Sequence, residues 1–310
     1  MREFGIVKDL SVLITYHNER CFLTECLSSL SAGGLTAEEI LIYDDASRFP
    51  ARDYVPAAMK CRIMRGDSQL GPSKARNILL RAAKCKFVHF HDADDLFDPE
   101  WLYQIRKQIE GDAASIIFTN VATLTSGRLR SSRLLVFPDV KRQKELVITA
   151  IRGSLLTCSG TFLRELGVKA GGYREELWQS EDYDFCIRLA ATGAPWSVVD
   201  EPLVITRQRS DSRSKNLVEV YSCGVDAVGY LAAELPPEYR DELAEAAARS
   251  AGVLFRLGAL EEARRAFRLA KSIGEPNYRG RNRLFSVLAK ALGPMIAERL
   301  SLVYRTMRQL

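Results

Sequence analysis

Apolar positions along the first 120 residues recur in two patterns. Residues 10–16 (Leu10-Ser11-Val12-Leu13-Ile14-Thr15-Tyr16), 39–43 and 87–91 are short, nearly continuous apolar runs. Such runs read as strands buried on both faces. Between them, residues 21–30 place Phe22, Cys26, Leu27 and Leu30 on one side of a helix. Pro72 stands where a helix prefers to begin, and Ala75, Ile78, Leu79 and Ala82 give that second helix an apolar stripe. A weaker strand over 61–64, a helix over 99–109 and a strand over 114–119 complete the series. Strands alternating with helices predict an α/β fold with a mostly parallel central sheet and helices on both faces. Asp44-Asp45 stops the run at 39–43, and Asp92-Ala93-Asp94-Asp95 stops the run at 87–91. In open sheets of this kind ligands bind outside the carboxyl ends of the strands.

The pattern then loosens. Between 121 and 215 it predicts a basic stretch (Arg128, Arg130, Arg133), helices over 141–152 and 181–191, and two short strands within 196–205 around Glu201-Pro202. After Asn216 it becomes almost wholly helical, rich in Ala, Leu, Arg and Glu. The polar run Ser210-Asp211-Ser212-Arg213-Ser214 suits a connecting loop, and predicts an α/β domain at 1–215 with a helical appendage at 216–310. Residues 258–276 resemble one tetratricopeptide-type hairpin, and a single unit builds no solenoid. The expectation is a helical hairpin over 239–275. Residues 281–310 form a basic amphipathic segment, which Gly293-Pro294 divides into two helices. Three occupants are open for its apolar stripe: an anionic membrane surface, the hairpin itself, or a homodimer interface.

Composition narrows the classes. A formal charge of +5 is too mild to imply nucleic acid as a partner. The seven cysteines are scattered, odd in number and without a C-x-x-C pair, which argues against a disulfide framework and a zinc site. They read as free buried thiols in a reducing compartment. Residues 1–9 carry Arg2, Glu3, Lys8 and Asp9 and no signal-peptide apolar region. No apolar stretch reaches bilayer-spanning length. The expectation is a cytoplasmic protein, with any membrane contact peripheral, at the inner face, through 281–310.

The candidate chemistry starts at Asp92-Ala93-Asp94-Asp95. Carboxylates this close repel unless a cation lies among them, and magnesium is commonly held by one or two carboxylates plus substrate phosphates. The same residues could instead end the strand and cap the next helix. Asp44-Asp45-Ala46-Ser47 ends its strand similarly, with an ordinary polar turn as its alternative. Gly71-Pro72-Ser73-Lys74-Ala75-Arg76-Asn77 is a glycine turn into a helix start, a place for phosphate. Lys74 and Arg76 are out of place at a helix N-terminus unless an anion faces them. Ser180 reads as an N-cap, with Glu181, Asp182 and Tyr183 in the first turn; Asp182 could accept a proton there, or Glu181 and Asp182 could simply complement the helix dipole. His89 and His91 share a strand face and read as packing groups before a metal pair.

Taken in order, these segments resemble the family-2 glycosyltransferases of the GT-A fold. The opening "P-T-Y-N-E" is similar to Ile14-Thr15-Tyr16-His17-Asn18-Glu19, "V-D-D-G-S" to Tyr43-Asp44-Asp45-Ala46-Ser47, and "G-x-x-x-A-R-N" to the run from Gly71 through Asn77. "D-A-D-D" is Asp92-Ala93-Asp94-Asp95, and "G-G-Y-R-E…E-D-x-D-x-x-x-R" is Gly171-Gly172-Tyr173-Arg174-Glu175 with Glu181, Asp182, Asp184 and Arg188. Five motifs in order are specific together. The resemblance covers roughly 9–215 and says nothing about 216–310. It implies a non-processive, inverting transfer of a single sugar from a nucleotide-sugar donor to a hydroxyl of a saccharide or lipid-linked acceptor, in a setting such as bacterial surface polysaccharide or glycolipid assembly. It implies that Thr15, Tyr16, Glu19 and Asp44 or Asp45 hold base and ribose, that Arg76 lies near the nucleotide, and that Asp92 and Asp94 hold ribose and a Mg2+ or Mn2+ ion. It makes Asp182 the catalytic base, with Glu181 beside it. Arg209 stands where the family often has a metal-contacting histidine, and could neutralise diphosphate directly. Thr15 replaces the opening proline. The processive Q-x-x-R-W motif is absent. The rival functions are a sugar-nucleotidyltransferase, which lacks its triphosphate loop here, and a catalytically silent sugar- or partner-binding module, disfavoured by intact acidic motifs.

Overall fold

The computed structural model describes residues 5–112, 114–125, 127–132, 143–153, 155–209, 212–278 and 282–307. The chain divides into two compact units, Met1–Ser212 and Arg213–Leu310.

The first unit runs β1 (Gly5–Tyr16), α1 (Cys21–Ser31), β2 (Leu35–Asp44), β3 (Arg62–Arg65), α2 (Pro72–Ala82), β4 (Phe87–Asp92), β5 (Leu96–Phe97), α3 (Trp101–Glu110), β6 (Ile116–Thr125), β7 (Arg128–Ser132), α4 (Gln143–Ile151), β8 (Gly160–Leu163), α5 (Arg164–Lys169), α6 (Glu181–Ala190) and β9 (Trp196–Arg207). The sheet order is β3-β2-β1-β4-β8-β6-β9-β5, with β7 on β6. β1 pairs in parallel with β2 and β4, and β2 with β3. β8 inserts antiparallel between β4 and β6, and β6 runs parallel with β9. This is the mostly parallel α/β sheet that the alternating pattern predicts. Its central strands are apolar on both faces because both faces are covered. Val12 and Ile14 join a core with Leu23, Leu27, Trp101 and Ile105 of α1 and α3. On another aromatic layer, Phe90 meets Tyr173 edge-on at 5.2 Å and Tyr173 stacks on Phe185 at 4.2 Å.

One stretch differs from the pattern's expectation. Residues 196–205 form one long strand, because Pro202 is absorbed by a bulge opposite Asn120. Arg128 and Arg130 sit on an exposed hairpin strand, β7; Arg133 lies outside the described residues. His89 and His91 are buried against Phe97 and Trp101, with His91 stacked on Phe97 at 3.7 Å. All seven cysteines are free, but they are not all buried as expected: Cys21 is exposed on the outer side of α1, and Cys61 and Cys223 are half-buried.

The second unit is helical: α7 (Leu217–Glu234), α8 (Arg240–Arg256), α9 (Leu260–Ile273), α10 (Arg283–Leu292) and α11 (Pro294–Met307). α8 and α9 present Ala244, Ala247, Ala251, Ala263, Ala266 and Ala270, all buried. Small residues let the helix backbones approach closely. Asn216 and Asn282 cap α7 and α10, accepting from the amides of Glu219 and Phe285. Gly293, at φ 89°, and Pro294 separate α10 from α11. Among the described residues no helix is long and apolar enough to cross a membrane.

Candidate active site

Because β1, β2 and β4 are parallel neighbours, their carboxyl ends bring three motifs to one rim. The register sets Thr15 beside Tyr43 on one side and Asp92 on the other. Beyond the strands the backbone is forced into left-handed turns at Asn18, Arg20 and Ala46, with φ of 68°, 53° and 55°. Non-glycine residues adopt this conformation at a cost.

The turn after β2 is internally satisfied. Asp44 Oδ1 accepts the Ser47 amide at 2.9 Å, and Oδ2 accepts the Ala51 amide at 2.9 Å and the Arg65 guanidinium at 2.6 Å. Burial pushes this carboxyl up, but the Ala51 and Ser47 hydrogen bonds and Arg65 outweigh it and hold it below the ordinary range. Asp44 is only 1% exposed, and these bonds latch the turn. Tyr16 faces inward as well. Strand alternation turns its ring into the α1 core, where its hydroxyl donates to the Phe49 carbonyl at 2.7 Å. His17 is left at the rim, its Nδ1 2.9 Å from the Asp45 carbonyl. The Asp45 carboxylate accepts the amides of Leu70 and Gly71 at 2.7 and 2.9 Å, tying the loop before α2 to the end of β2. Gly71 is required there: at φ 85° a Cβ would lie 3.0 Å from the Trp178 ring.

The turn after β4 is built differently. Asp92 Oδ1 accepts from Thr15 at 3.2 Å and from Arg76 at 2.9 Å, while the other arm of Arg76 donates to Glu181 at 2.7 Å. Arg76 is thus a buried strut joining α2, β4 and the start of α6. Burial opposes its charge, but Asp92 and Glu181 more than compensate, so it stays protonated. Burial also raises Asp92, and Arg76 with the Thr15 hydrogen bond reverses that. Its neighbours are not so compensated. Asp94 lies above the ordinary range through burial and the charge of Asp92, although Arg209 donates to its Oδ2 at 3.1 Å. Burial and the same charges push Asp95 well up. Glu19 reaches about 7 through burial, reinforced by Asp94 and Asp92. Lys74 does not relieve them: it is exposed, roughly 200° around α2 from Arg76 at 100° per residue.

Asp182 is partly exposed in the first turn of α6, and its Oδ1 accepts its neighbour Tyr183's amide at 2.7 Å. Burial and then Glu181 raise it to about 6, against the pull of Arg76. Ser180 occupies the N-cap position but is left-handed, at φ 59°, and its side chain does not cap α6. The glycine pair before it packs closely. A Cβ on Gly172 would lie 2.5 Å from Asn77 Oδ1, the atom that accepts the Tyr173 amide at 2.7 Å.

Residues that the motifs did not single out complete the rim. Arg207, at the end of β9, donates its amide to Asp95 at 2.8 Å and its side chain to the Asp94 carbonyl at 2.9 Å. Arg207 and Arg209 both lie over the Phe22 ring, at 4.6 and 4.9 Å. The pairing of β5 with β9, Leu96 with Ile205 and Phe97 with Val204, brings them here, and no local pattern reports that contact. Among the described residues no three His, Cys, Asp or Glu side chains form a ready metal cage. Asp92 and Asp94 nevertheless fit a hard divalent ion completed by phosphate oxygens. Both are oxygen donors with accessible side chains, and burial with the charge of Asp92 raises Asp94 in spite of Arg209.

The family described as Glycosyl transferase family 2 matches residues 11–164. Among curated relatives, the pre-mycofactocin glycosyltransferase of Mycobacterium tuberculosis is 25% identical over 60% of this chain and 40% of that protein. The succinoglycan biosynthesis protein ExoU of Rhizobium meliloti is 26% identical over 62% of this chain and 59% of that protein. The chain thus spans about half the length of the curated relatives it matches. Two solved structures share the fold at 16% identity and TM-scores of 0.56. S. aureus TarS 1-349 in complex with UDP-GlcNAc matches over 85% of this chain and 90% of that one. Mannosyltransferase PcManGT from Pyrobaculum calidifontis, in complex with GDP-Man and Mn2+, matches over 96% and 87%.

Proposed function

Since the chain belongs to glycosyl transferase family 2, we propose that it moves a single sugar from a nucleotide-sugar donor to an acceptor hydroxyl, with inversion. The observation that carries this reading is the Thr15–Asp92–Arg76–Glu181 chain of hydrogen bonds. It fixes the under-compensated acids after β4 beside the first turn of α6, where Asp182 stands.

In the proposed reaction the ionised Asp182 accepts the acceptor hydroxyl's proton while that oxygen bonds to the anomeric carbon and the bond from that carbon to the diphosphate breaks. Burial, reinforced by Glu181, which Arg76 holds, keeps Asp182 raised to about 6, so it is a stronger base than an ordinary carboxylate yet ionised at neutral pH. Thr15 and Glu19 line the side on which base and ribose would lie, and Asp45 holds the loop before α2 beside them. Arg207 and Arg209 bring positive charge toward the departing diphosphate. Asp94 and Asp92 would hold a divalent cation, Mg2+ or Mn2+, whose charge would further stabilise that leaving group. The acceptor is a saccharide or lipid-linked hydroxyl. The name of the Rhizobium meliloti relative supports a setting in polysaccharide or glycolipid assembly.

Thermal melts of the full chain with Mn2+ and a panel of UDP- and GDP-sugars test the reading, since a ligand of the folded state raises its melting temperature. One donor is expected to stabilise the protein and to be slowly hydrolysed to the nucleoside diphosphate. No stabilisation and no release across the panel would contradict it.

A further inference from the structure

The helices α10 and α11 carry two apolar faces, and only one is filled. Phe285, Ala289 and Ala297 form a buried cluster, with Tyr278 and Leu288 packed against it. The other face is open. Leu284 and Val287 on α10 are 64% and 61% exposed, and Ile296, Leu300 and Val303 on α11 are exposed as well. The spacings i, i+3 in α10 and i, i+4, i+7 in α11 make each set a stripe along one side of its helix.

The charge beside these stripes has one sign. Residues 281–310 hold six basic residues and one acid, Glu298. Glu298 is buried and faces Arg256 at 3.7 Å, so the outer face has no carboxylate of this segment. Arg283, Lys290 and Arg299 are exposed, and in helical projection each flanks an exposed apolar stripe.

We propose that the outer face of α10–α11 seats on an anionic lipid surface, its apolar stripes among the acyl chains and its cations on the headgroup phosphates. Helices with an apolar face flanked by Lys and Arg lie in the interfacial plane, and each cation adds attraction to an anionic leaflet. A second copy of the chain is the poorer occupant. A two-fold interface sets each patch against its own image, bringing these cations together with no acid of the segment between them. The proposal is independent of the sugar-transfer chemistry.

Flotation of the full chain at low salt tests it, with phosphatidylglycerol–phosphatidylcholine vesicles against phosphatidylcholine alone. The wild type floats with the anionic vesicles. Ile296→Glu with Leu300→Glu lowers the bound fraction roughly tenfold or more, and Arg283→Glu with Lys290→Glu does the same. All positions are exposed, and unchanged circular dichroism melts confirm folding. Leu284→Ser with Val287→Ser serves as a milder second variant. A wild type left wholly in the soluble fraction with both vesicle types overturns the proposal. So do variants that float like the wild type. Light scattering that shows a dimer, dissociated by the Ile296 and Leu300 changes and without flotation, assigns the face to a second copy instead.

Discussion

The turns after β2 and after β4 are both acidic and both end a buried parallel strand, yet they handle their charge in opposite ways. Asp44 is held below the ordinary carboxylate range because two amides and Arg65 reach it. Asp94 and Asp95 are held above it because burial and Asp92 outweigh the cations nearby. A carboxylate fully served by its own chain is a structural latch. Carboxylates raised by burial and mutual repulsion are those we propose to hold a cation. The number of acids at a strand end does not distinguish the two cases; what surrounds each oxygen does.

The largest effect is expected at the reactive side of the second turn. Asp182→Asn should lower kcat by two orders of magnitude or more while donor affinity stays near that of the wild type, because general-base catalysis is lost. In the wild type the rate should rise with pH through about 6 as Asp182 ionises. A wild-type rate that ignores pH from 5 to 7, or a variant that turns over normally, makes Asp182 a helix-dipole acid only.

The latch should answer in stability. Asp44→Asn removes charge-assisted acceptance from buried donors, and should lower unfolding free energy by about 2–3 kcal/mol, read from urea denaturation. The linkage has a definite sign. The folded pKa of Asp44 is depressed, so its contribution is fully present above the unfolded value of about 3.9 and is lost as pH falls through the folded value. A smaller loss that persists unchanged below pH 3 would break the contrast between the two turns.

The smallest effect sharpens the same turn. Ala46 is left-handed at φ 55°, where the resembling motif has glycine. Ala46→Gly relieves backbone strain but adds unfolded-state entropy, leaving a net gain of about 0.5–1 kcal/mol. A loss of stability in calorimetry would show that the alanine is not strained.

Much of the fold was legible because the central strands are buried on both faces and the helices between them have one apolar side. What the pattern hid was short or non-local. β8 spans four residues, Gly160–Leu163, too few for a period, and is a strand only because β4 and β6 flank it. Arg128, Leu129 and Arg130 of β7 are exposed, and the strand reads locally as loop. In the site, the motif order pointed to Arg76, Asp92, Asp94 and Asp182, and the structure joins Arg76 to Asp92 and Glu181 directly. The hydrogen bonds of Asp44 and Tyr16 were not legible because their partners, Arg65 and the Phe49 carbonyl, lie 21 and 33 residues away. Arg207 was missed because its partners, Asp94 and Asp95, are 113 and 112 residues distant.

The contrast between the two turns is tested most directly by calorimetric titration of nucleoside diphosphate, with and without Mn2+, into wild type, Asp94→Asn and Asp44→Asn, each below its melting temperature. The account predicts that Asp94→Asn keeps wild-type stability within about 1 kcal/mol and loses the Mn2+-dependent part of the affinity, roughly tenfold or more. It predicts that Asp44→Asn, though less stable, binds with the wild-type Mn2+ dependence. Wild-type Mn2+-dependent binding by Asp94→Asn, or its selective loss in Asp44→Asn, would contradict it.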